Sequence, residues 1–364
     1  MKLAELISYL EEIAPLSLQE PYDNSGLLIG SADREIHRAL LTLDVTSEVV
    51  AEAIAQNCDL IIAHHPLIFK GIKKITGSND TERTIIEAIK ADLVIYAIHT
   101  NLDNVFLGVN NMLAQKLGLQ NLSILSGKNQ LLKKIVTFCP VNQADQVRDA
   151  LFNAGAGHIG NYDSCSFNLP GTGTFRGNES THPYVGKPEQ LHHEAEIRIE
   201  TIVPDYLVRK TIAALIQAHP YEEVAYDIYP LENTSNSIGS GMIGELPHTV
   251  SPIEFLTTVK NVLGCQHVKH NKLIDHQVTR VAVCGGSGSF LIGDAFRAKA
   301  DVFVTGDVKY HEFYEHLGLM TIVDAGHFET EQGIKELLEG LITKKFPNFA
   351  LRISKKNVNP VSFL

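Results

Sequence analysis

The chain has no tryptophan, and its five cysteines (Cys58, Cys139, Cys165, Cys265, Cys284) are odd in number, scattered and free of any Cys-x-x-Cys pair. Reduced thiols in a cytoplasmic protein account for that pattern better than a disulfide framework does. Long apolar runs are also missing: none approaches membrane-spanning length, so no membrane partner is expected. The opening segment Met1-Lys-Leu-Ala-Glu-Leu-Ile-Ser-Tyr-Leu-Glu-Glu carries acids where a signal peptide has its apolar region, and reads as an amphipathic helix of the mature protein. Basic charge is in deficit, with 31 Lys and Arg against 42 Asp and Glu and a formal net charge of -11. A broad nucleic-acid surface needs a basic face, so that class is set aside, while a local anion pocket of metal ions and backbone amides stays open.

What is present is a chain of 364 residues with an ordinary apolar share and sixteen histidines. That length buries a sizeable core and suggests two or three domains. Several short apolar runs end in residues with metal-binding chemistry. Leu60-Ile-Ile-Ala63 reads as a buried strand and ends in His64-His65-Pro66, where the proline cannot continue a central strand. At a turn both imidazoles can point into one cleft; alone, they read equally as histidines hydrogen-bonded at a strand end. Ala91 to Ile98 is a second buried strand, followed by His99-Thr-Asn-Leu-Asp103. Asp103 offers an oxygen ligand or a helix cap, with His99 in a supporting position. Arg38 to Val45 and Asp301 to Asp307 are further strands with an acid at the end.

The last such run is Met320-Thr-Ile-Val323, followed by Asp324-Ala-Gly-His327-Phe-Glu-Thr-Glu331 and a helical pattern through Ile342. His327 and Glu331 stand four apart where the helix begins, which places imidazole and carboxylate on one face. That is a metal-ligand spacing, although on its own it is as common on a solvated helix surface. Arg280 to Cys284 is a strand followed by Gly285-Gly-Ser-Gly-Ser289 and a helix from Phe290. Gly286, Ser287 and Gly288 are candidate anion-binding amides, with a tight turn as the competing reading.

Strands alternating with helices predict an α/β host domain: layered, with mainly parallel or mixed sheets flanked by helices and ligands collecting beyond the strand ends. The character changes near Gly127. Leu131–Pro140 reads as a strand, Gln146–Gly155 as a helix, the stretch through Gly177 as loop-rich, Ala195–Glu200 as a strand, Pro204–Ala218 as a helix and Glu222–Tyr229 as a strand. This order predicts a ferredoxin-like α+β insert, flanked by polar, Gly- and Ser-rich stretches. The expected division is 1–128 and 236–364 for the host and 129–235 for the insert.

Taken together, Asp23-Asn-Ser-Gly-Leu27, Ala63-His-His-Pro-Leu67, His99-Thr-Asn-Leu-Asp103, Cys284-Gly-Gly-Ser-Gly288, Thr305-Gly-Asp-Val-Lys-Tyr-His311 and Asp324 to Glu331 resemble the motifs of the type 2 GTP cyclohydrolase I (Nif-three-like) family. The motifs run in order through both host segments. Gly173-Thr-Phe-Arg176 and His219-Pro-Tyr-Glu-Glu-Val-Ala-Tyr-Asp227 resemble the PII/CutA-like domain carried by longer members. Tyr22 departs from the family's usual Trp, and Asp307 stands where members often have Glu.

The resemblance implies that His64, His65, Asp103, His327 and Glu331 ligate two divalent metal ions. It also implies a ring-shaped homohexamer. Asp324 and His311 are candidates to orient the ligands, with Asp307 and His99 in similar supporting roles. Three imidazoles and two carboxylates suit zinc first, and iron or manganese as well. Five residues cannot saturate two ions, so water completes the shells, as it does in catalytic centres. The expected function is hydrolysis of a small anionic or nucleotide-like substrate, with type 2 GTP cyclohydrolase I chemistry as the family's example. The alternative is a non-catalytic metal-handling or regulatory assembly with a ligand-sensing insert.

Overall fold

A computed structural model of the chain describes residues 1–362 and 364. It divides into two compact units, Met1–Gly127 together with Ser237–Leu364, and Lys128–Asn236. The first, discontinuous unit is a mixed α/β structure with two sheets flanked by helices. Its five-stranded sheet runs in the order Gly26–Ile29, Val94–Ala97, Leu60–Ala63, Arg38–Thr42, Ala350–Ile353. Only the first of these is antiparallel to its neighbour. Every residue of Leu60–Ala63 and Val94–Ala97 is buried, which is why both runs read as apolar on both faces. Helix Ser47–Ala55 packs Val49, Val50 and Ala53 against Leu40, Ile61 and Ala63, and its start is set by the Thr46 hydroxyl accepting from the Val49 amide. The opening segment is helical over Leu3–Ile13 and buries Leu3, Leu6 and Leu10, one stripe at helical spacing.

The six-stranded sheet runs Lys269–His270, Thr321–Asp324, Val302–Gly306, Val278–Ser287, Gly239–Val250, Gln120–Gly127. Its three middle-to-edge strands, Val278–Ser287, Val302–Gly306 and Thr321–Asp324, are parallel. Alternation along them splits the core: Val281, Val283, Val302, Val304 and Val323 face one cluster, and Ala282, Cys284, Phe303 and Ile322 the other. All five cysteines are unpaired. Among the described residues no helix is long and apolar enough to cross a membrane.

The second unit is a four-stranded antiparallel sheet in the order Phe167–Phe175, His192–Pro204, Leu132–Pro140, Tyr226–Leu231. Helices Ala144–Asn153 and Val208–Ala218 cover one face, burying Val147, Leu151 and Leu215 against Ile135, Cys139, Ile199 and Val203. Residues at the alternate positions, among them Phe138, Glu196 and Arg198, belong to the opposite face.

Several local expectations shift. The loop-rich stretch contains the strand Phe167–Phe175, hidden because Gly171 and Gly173 read as breakers. A β-carbon at Gly173 would stand 2.0 Å from Glu196 Oε2, so a cross-strand side chain occupies the space that glycine leaves. Pro204 ends a strand rather than starting a helix, which begins at Val208 after a 3-10 turn. The last strand starts at Tyr226, not Glu222, because the Tyr221 amide closes a turn onto His219 Nδ1. The long helix expected from His327 is two, His327–Glu331 and Ile334–Lys345.

Candidate metal centre

Four strand ends of the first unit deliver the candidate side chains. Leu60–Ala63 runs into His64 and His65, and Val94–Ala97 into His99 and the one-turn helix Thr100–Asp103. Thr321–Asp324 leads through Ala325 and Gly326 into His327–Glu331, and Val302–Gly306 into Asp307. Gly326 makes the turn into His327–Glu331 possible: its φ of 93° lies in the left-handed region. The buried Asp324 carboxylate accepts from the Gly326 and Val308 amides and pairs with Lys269. Asp324 therefore holds the backbone that carries His327 and makes no contact with the imidazole itself.

His64 is fully buried, and its Nδ1 lies 2.8 Å from the Ile98 carbonyl oxygen. A carbonyl only accepts, so Nδ1 carries the proton and Nε2 presents a lone pair. His64 Nε2 stands 3.7 Å from Asp103 Oδ1 and 3.9 Å from Glu331 Oε1. His65 Nδ1 is 2.8 Å from Asp44 Oδ1, and its Nε2 is 3.1 Å from Glu331 Oε2 and 3.3 Å from His327 Nε2. His327 repeats the pattern, with Nδ1 2.7 Å from Asp307 Oδ2 and Nε2 3.0 Å from Glu331 Oε2. Each imidazole is thus held from behind by an oxygen and faces the same space with Nε2.

The structure therefore brings His64, His65, Asp103, His327 and Glu331 together. It leaves three of their buried atoms without hydrogen bonds: His64 Nε2, Asp103 Oδ1 and Glu331 Oε2. Glu331 Oε2 is close to two imidazoles but lacks the alignment a hydrogen bond needs. The Asp103 side chain is a quarter exposed, yet the Oδ1 that faces the cluster is covered. Buried polar atoms without partners are rare and costly, and bound cations would satisfy them.

The electrostatics are those of crowded donors. Burial pushes the His64 imidazole down to about 4. For His65 burial acts in the same sense, but the Asp44 and Glu331 carboxylates outweigh it and lift the ring to about 10. Glu331 and Asp307 likewise overcome burial at His327 and raise it to about 9. Burial and the neighbouring Glu331 carboxylate hold Asp103 well above the carboxylate range, whereas three imidazoles hold Glu331 well below it against its own burial.

Two groups of donor atoms lie within 4.8 Å of one another, one from His65, His327 and Glu331 and the other from His64, His65 and His99. His99, expected in a supporting position, thus stands in the cluster itself, 5.0 Å from His64 and 5.2 Å from His65 between ring centroids. Its own support is Asp23, whose Oδ1 lies 2.8 Å from His99 Nδ1. Hydrogen bonds from His99 and Thr100 outweigh burial and depress the Asp23 carboxyl far below its usual range. Sequence reasoning passed over Asp23 and Asp44 as turn or strand-end acids. Their signal was an acid near a strand end, a signal shared with acids that only cap helices.

Two expectations fail. His311 lies in the 3-10 turn Tyr310–Tyr314, exposed, with its ring against Tyr310 and no contact with the cluster. The turn points it to solvent, so it cannot orient a ligand. The proposed anion loop has no free amides at Gly286 and Gly288, which donate to the Thr330 and Thr305 hydroxyls, and Ser287 ends the strand that runs through this loop. Gly286 has a different use. Its φ is 61°, and a β-carbon there would stand 2.1 Å from Glu331 Oε1, so the backbone makes room for the carboxylate.

Beside the cluster opens a cleft of about 490 Å³. His65, His99, Asp103, His327 and Glu331 line its floor, with Tyr22, Phe69 and Phe290 among its walls.

The sequence profile described as Duf34/NIF3 (NGG1p interacting factor 3) matches residues 1–360. A protein of Halalkalibacterium halodurans called GTP cyclohydrolase 1 type 2 homolog is 43% identical over 373 residues, covering 100% of both chains. One of the same name from Bacillus subtilis is 38% identical over 365 residues, covering 99% of this chain and 98% of its own. Among solved structures, a Bacillus cereus protein related to NIF3 superposes with a TM-score of 0.86 at 42% identity, covering 100% of this chain and 99% of that one. The chain belongs to the Duf34/NIF3 family.

Proposed function

From that membership and the convergence of five side chains, we propose that the protein is a hydrolase working with two divalent metal ions on a small anionic or nucleotide-like substrate. The observation that carries this reading is the set of buried, unpartnered atoms His64 Nε2, Asp103 Oδ1 and Glu331 Oε2, facing one another beside two further imidazoles. His64, His65, Asp103, His327 and Glu331 would hold the ions. Zinc fits this borderline donor set first, and iron or manganese also fits.

Bound ions of this kind supply Lewis acidity and acidified water at neutral pH. The chain's own residues do the positioning. The Ile98 carbonyl, Asp44 and Asp307 fix the tautomers of His64, His65 and His327 so that each offers Nε2. Tyr22, Phe69 and Phe290 give the cleft flat apolar walls suited to a heterocyclic base, and its volume matches a small-molecule site. GTP heads the list of substrates to try, because the relatives carry that name. We further assign the 128–236 unit to the ferredoxin-like, PII/CutA-like class on its strand order, and place the protein in the cytoplasm as a ring-shaped homohexamer.

The test is metal analysis of protein purified without chelators, followed by turnover of a nucleotide and phosphoester panel. Two ions per chain, and turnover that disappears in His65→Ala, is the expected result. Metal without turnover of any panel member, with nothing but metal lost in His65→Ala, removes the enzyme and leaves the metal-handling assembly. Absence of bound metal removes both.

A further inference from the structure

The larger cavity lies elsewhere, wholly within the 128–236 unit, on the sheet face that the two helices leave open. It measures about 790 Å³ and takes its walls from the two motifs that the metal centre leaves unused, Gly173–Arg176 and Tyr221–Ala225. Phe175, Tyr184 and Tyr221 form a run of aromatic rings, with Tyr221 5.8 Å from Phe175 and 6.3 Å from Tyr184 between centroids. The Glu222 carboxylate accepts from the His182 amide, tying the loop that carries Tyr184 across the cavity.

Glu196 lies at the floor and is only 8% exposed. Its Oε1 accepts from the Tyr221 hydroxyl at 2.8 Å. Burial and this carboxylate push the Tyr221 phenol up, so the hydroxyl stays protonated and able to donate. The second oxygen, Oε2, rests over Gly173, and the neighbouring His219 imidazole is held below its ordinary value by burial, so it brings little positive charge to the carboxylate. Arg198, two residues along the same strand face, lies over the Phe138 ring and is paired with Glu200 at 2.9 Å. Three acids (Glu196, Glu222, Glu223) and two arginines (Arg176, Arg198) line the cavity, and one of those arginines is already engaged. The cavity is therefore negative inside and walled by ring faces. A carboxylate on the floor of such a cavity attracts a cation, and an aromatic wall adds attraction for positive charge.

We propose that this cavity is a binding site for a small organic cation, a protonated amine seated on Glu196 Oε2 between the Phe175, Tyr184 and Tyr221 rings. Two features make the site selective. The carboxylate requires an N–H donor carrying positive charge, and the rings favour an apolar body next to it. Gly173 belongs to the site, because any side chain there would occupy the place of the carboxylate.

The probe is phenethylammonium, compared with its neutral counterpart 2-phenylethanol by calorimetric titration of the full-length protein. The amine is expected to bind saturably, the alcohol at least about tenfold more weakly. Glu196→Gln, which keeps the Tyr221 hydrogen bond, is expected to weaken the amine by about tenfold and leave the alcohol unchanged. Tyr184→Leu, on an exposed loop whose loss cannot unfold the sheet, is expected to weaken the amine as well. His65→Ala is expected to bind the amine as the parent does. Equal affinity for amine and alcohol, indifference to Glu196→Gln, loss of binding in His65→Ala, or no saturation up to roughly 10 mM overturns the proposal.

Discussion

At the scale of single residues, each imidazole of the cluster owes its direction to the oxygen behind it. Asp44 is the most testable of these, because it holds His65 and has no backbone substitute. Asp44→Asn is expected to lower metal affinity by roughly 10- to 100-fold while the fold persists, measured by competition with a chromophoric chelator. An unchanged affinity would show that His65 is held by other means. Gly286→Ala is expected to destabilise the protein by about 2 kcal/mol or more, since it combines a left-handed φ with a β-carbon 2.1 Å from Glu331 Oε1. Denaturant unfolding measures it, and a wild-type midpoint would mean that Glu331 moves aside freely. The five residues proposed as ligands stood out in the sequence as histidines and acids after apolar runs. Two of the acceptors on the far nitrogens of the cluster's rings did not, because Asp23 and Asp44 are joined to their rings across 76 and 21 positions; Asp307, 20 positions from His327, was named only as a supporting residue.

Elements carry these residues, and here strand ends were easier to read than helix ends. Leu60–Ala63 and Thr321–Asp324 follow from apolar runs stopped by proline or glycine. The break between His327–Glu331 and Ile334–Lys345 does not, because the apolar periodicity continues across it. The edge strand Ala350–Ile353 gives a prediction of its own. Glu52, on helix Ser47–Ala55, accepts from the Ser354 hydroxyl and from the Lys355 and Lys356 amides that follow the strand. These hydrogen bonds outweigh burial and depress its carboxyl below its ordinary value. A folded pKa below the unfolded one contributes stability above the unfolded value, and that contribution disappears as pH falls through the folded value. Glu52→Gln is therefore expected to melt below the parent at neutral pH, with the gap closing as pH drops below the ordinary carboxylate range. A gap that persists in acid would mean that packing, not charge, is the cause.

At the scale of the whole molecule, the two units have separate cores, Val281 and its neighbours in one and Ile135, Ile199 and Leu215 in the other. Strands Gln120–Gly127 and Gly239–Val250 are antiparallel partners with Gly127 opposite Gly239, so the host chain leaves and re-enters at one point. Replacing residues 128–236 by a short glycine-containing turn is expected to leave a folded host that retains its metal, read by circular dichroism and metal content. An unfolded product would show that the host needs the insert. Ligand linkage gives the companion experiment: an ion present at a hundred times its dissociation constant adds about 2.7 kcal/mol, so chelation is expected to lower the melting temperature of the intact chain. A melt indifferent to chelator would count against a tightly held ion.

By itself the sequence determined the elements whose cause is local. These are the buried strands, the helices with an apolar stripe, the interruption near Gly127, and the placing of histidines and acids just beyond strand ends. Tertiary structure alone decided which of those polar residues meet. His99 joins the cluster, His311 turns to solvent, and the Gly286 and Gly288 amides go to threonine hydroxyls rather than to an anion. The physical reason is that periodicity and turn chemistry act over a few residues. The direction of an imidazole and the room left by a glycine are set instead by atoms tens of positions away, as between His65 and Asp44 or between Gly286 and Glu331.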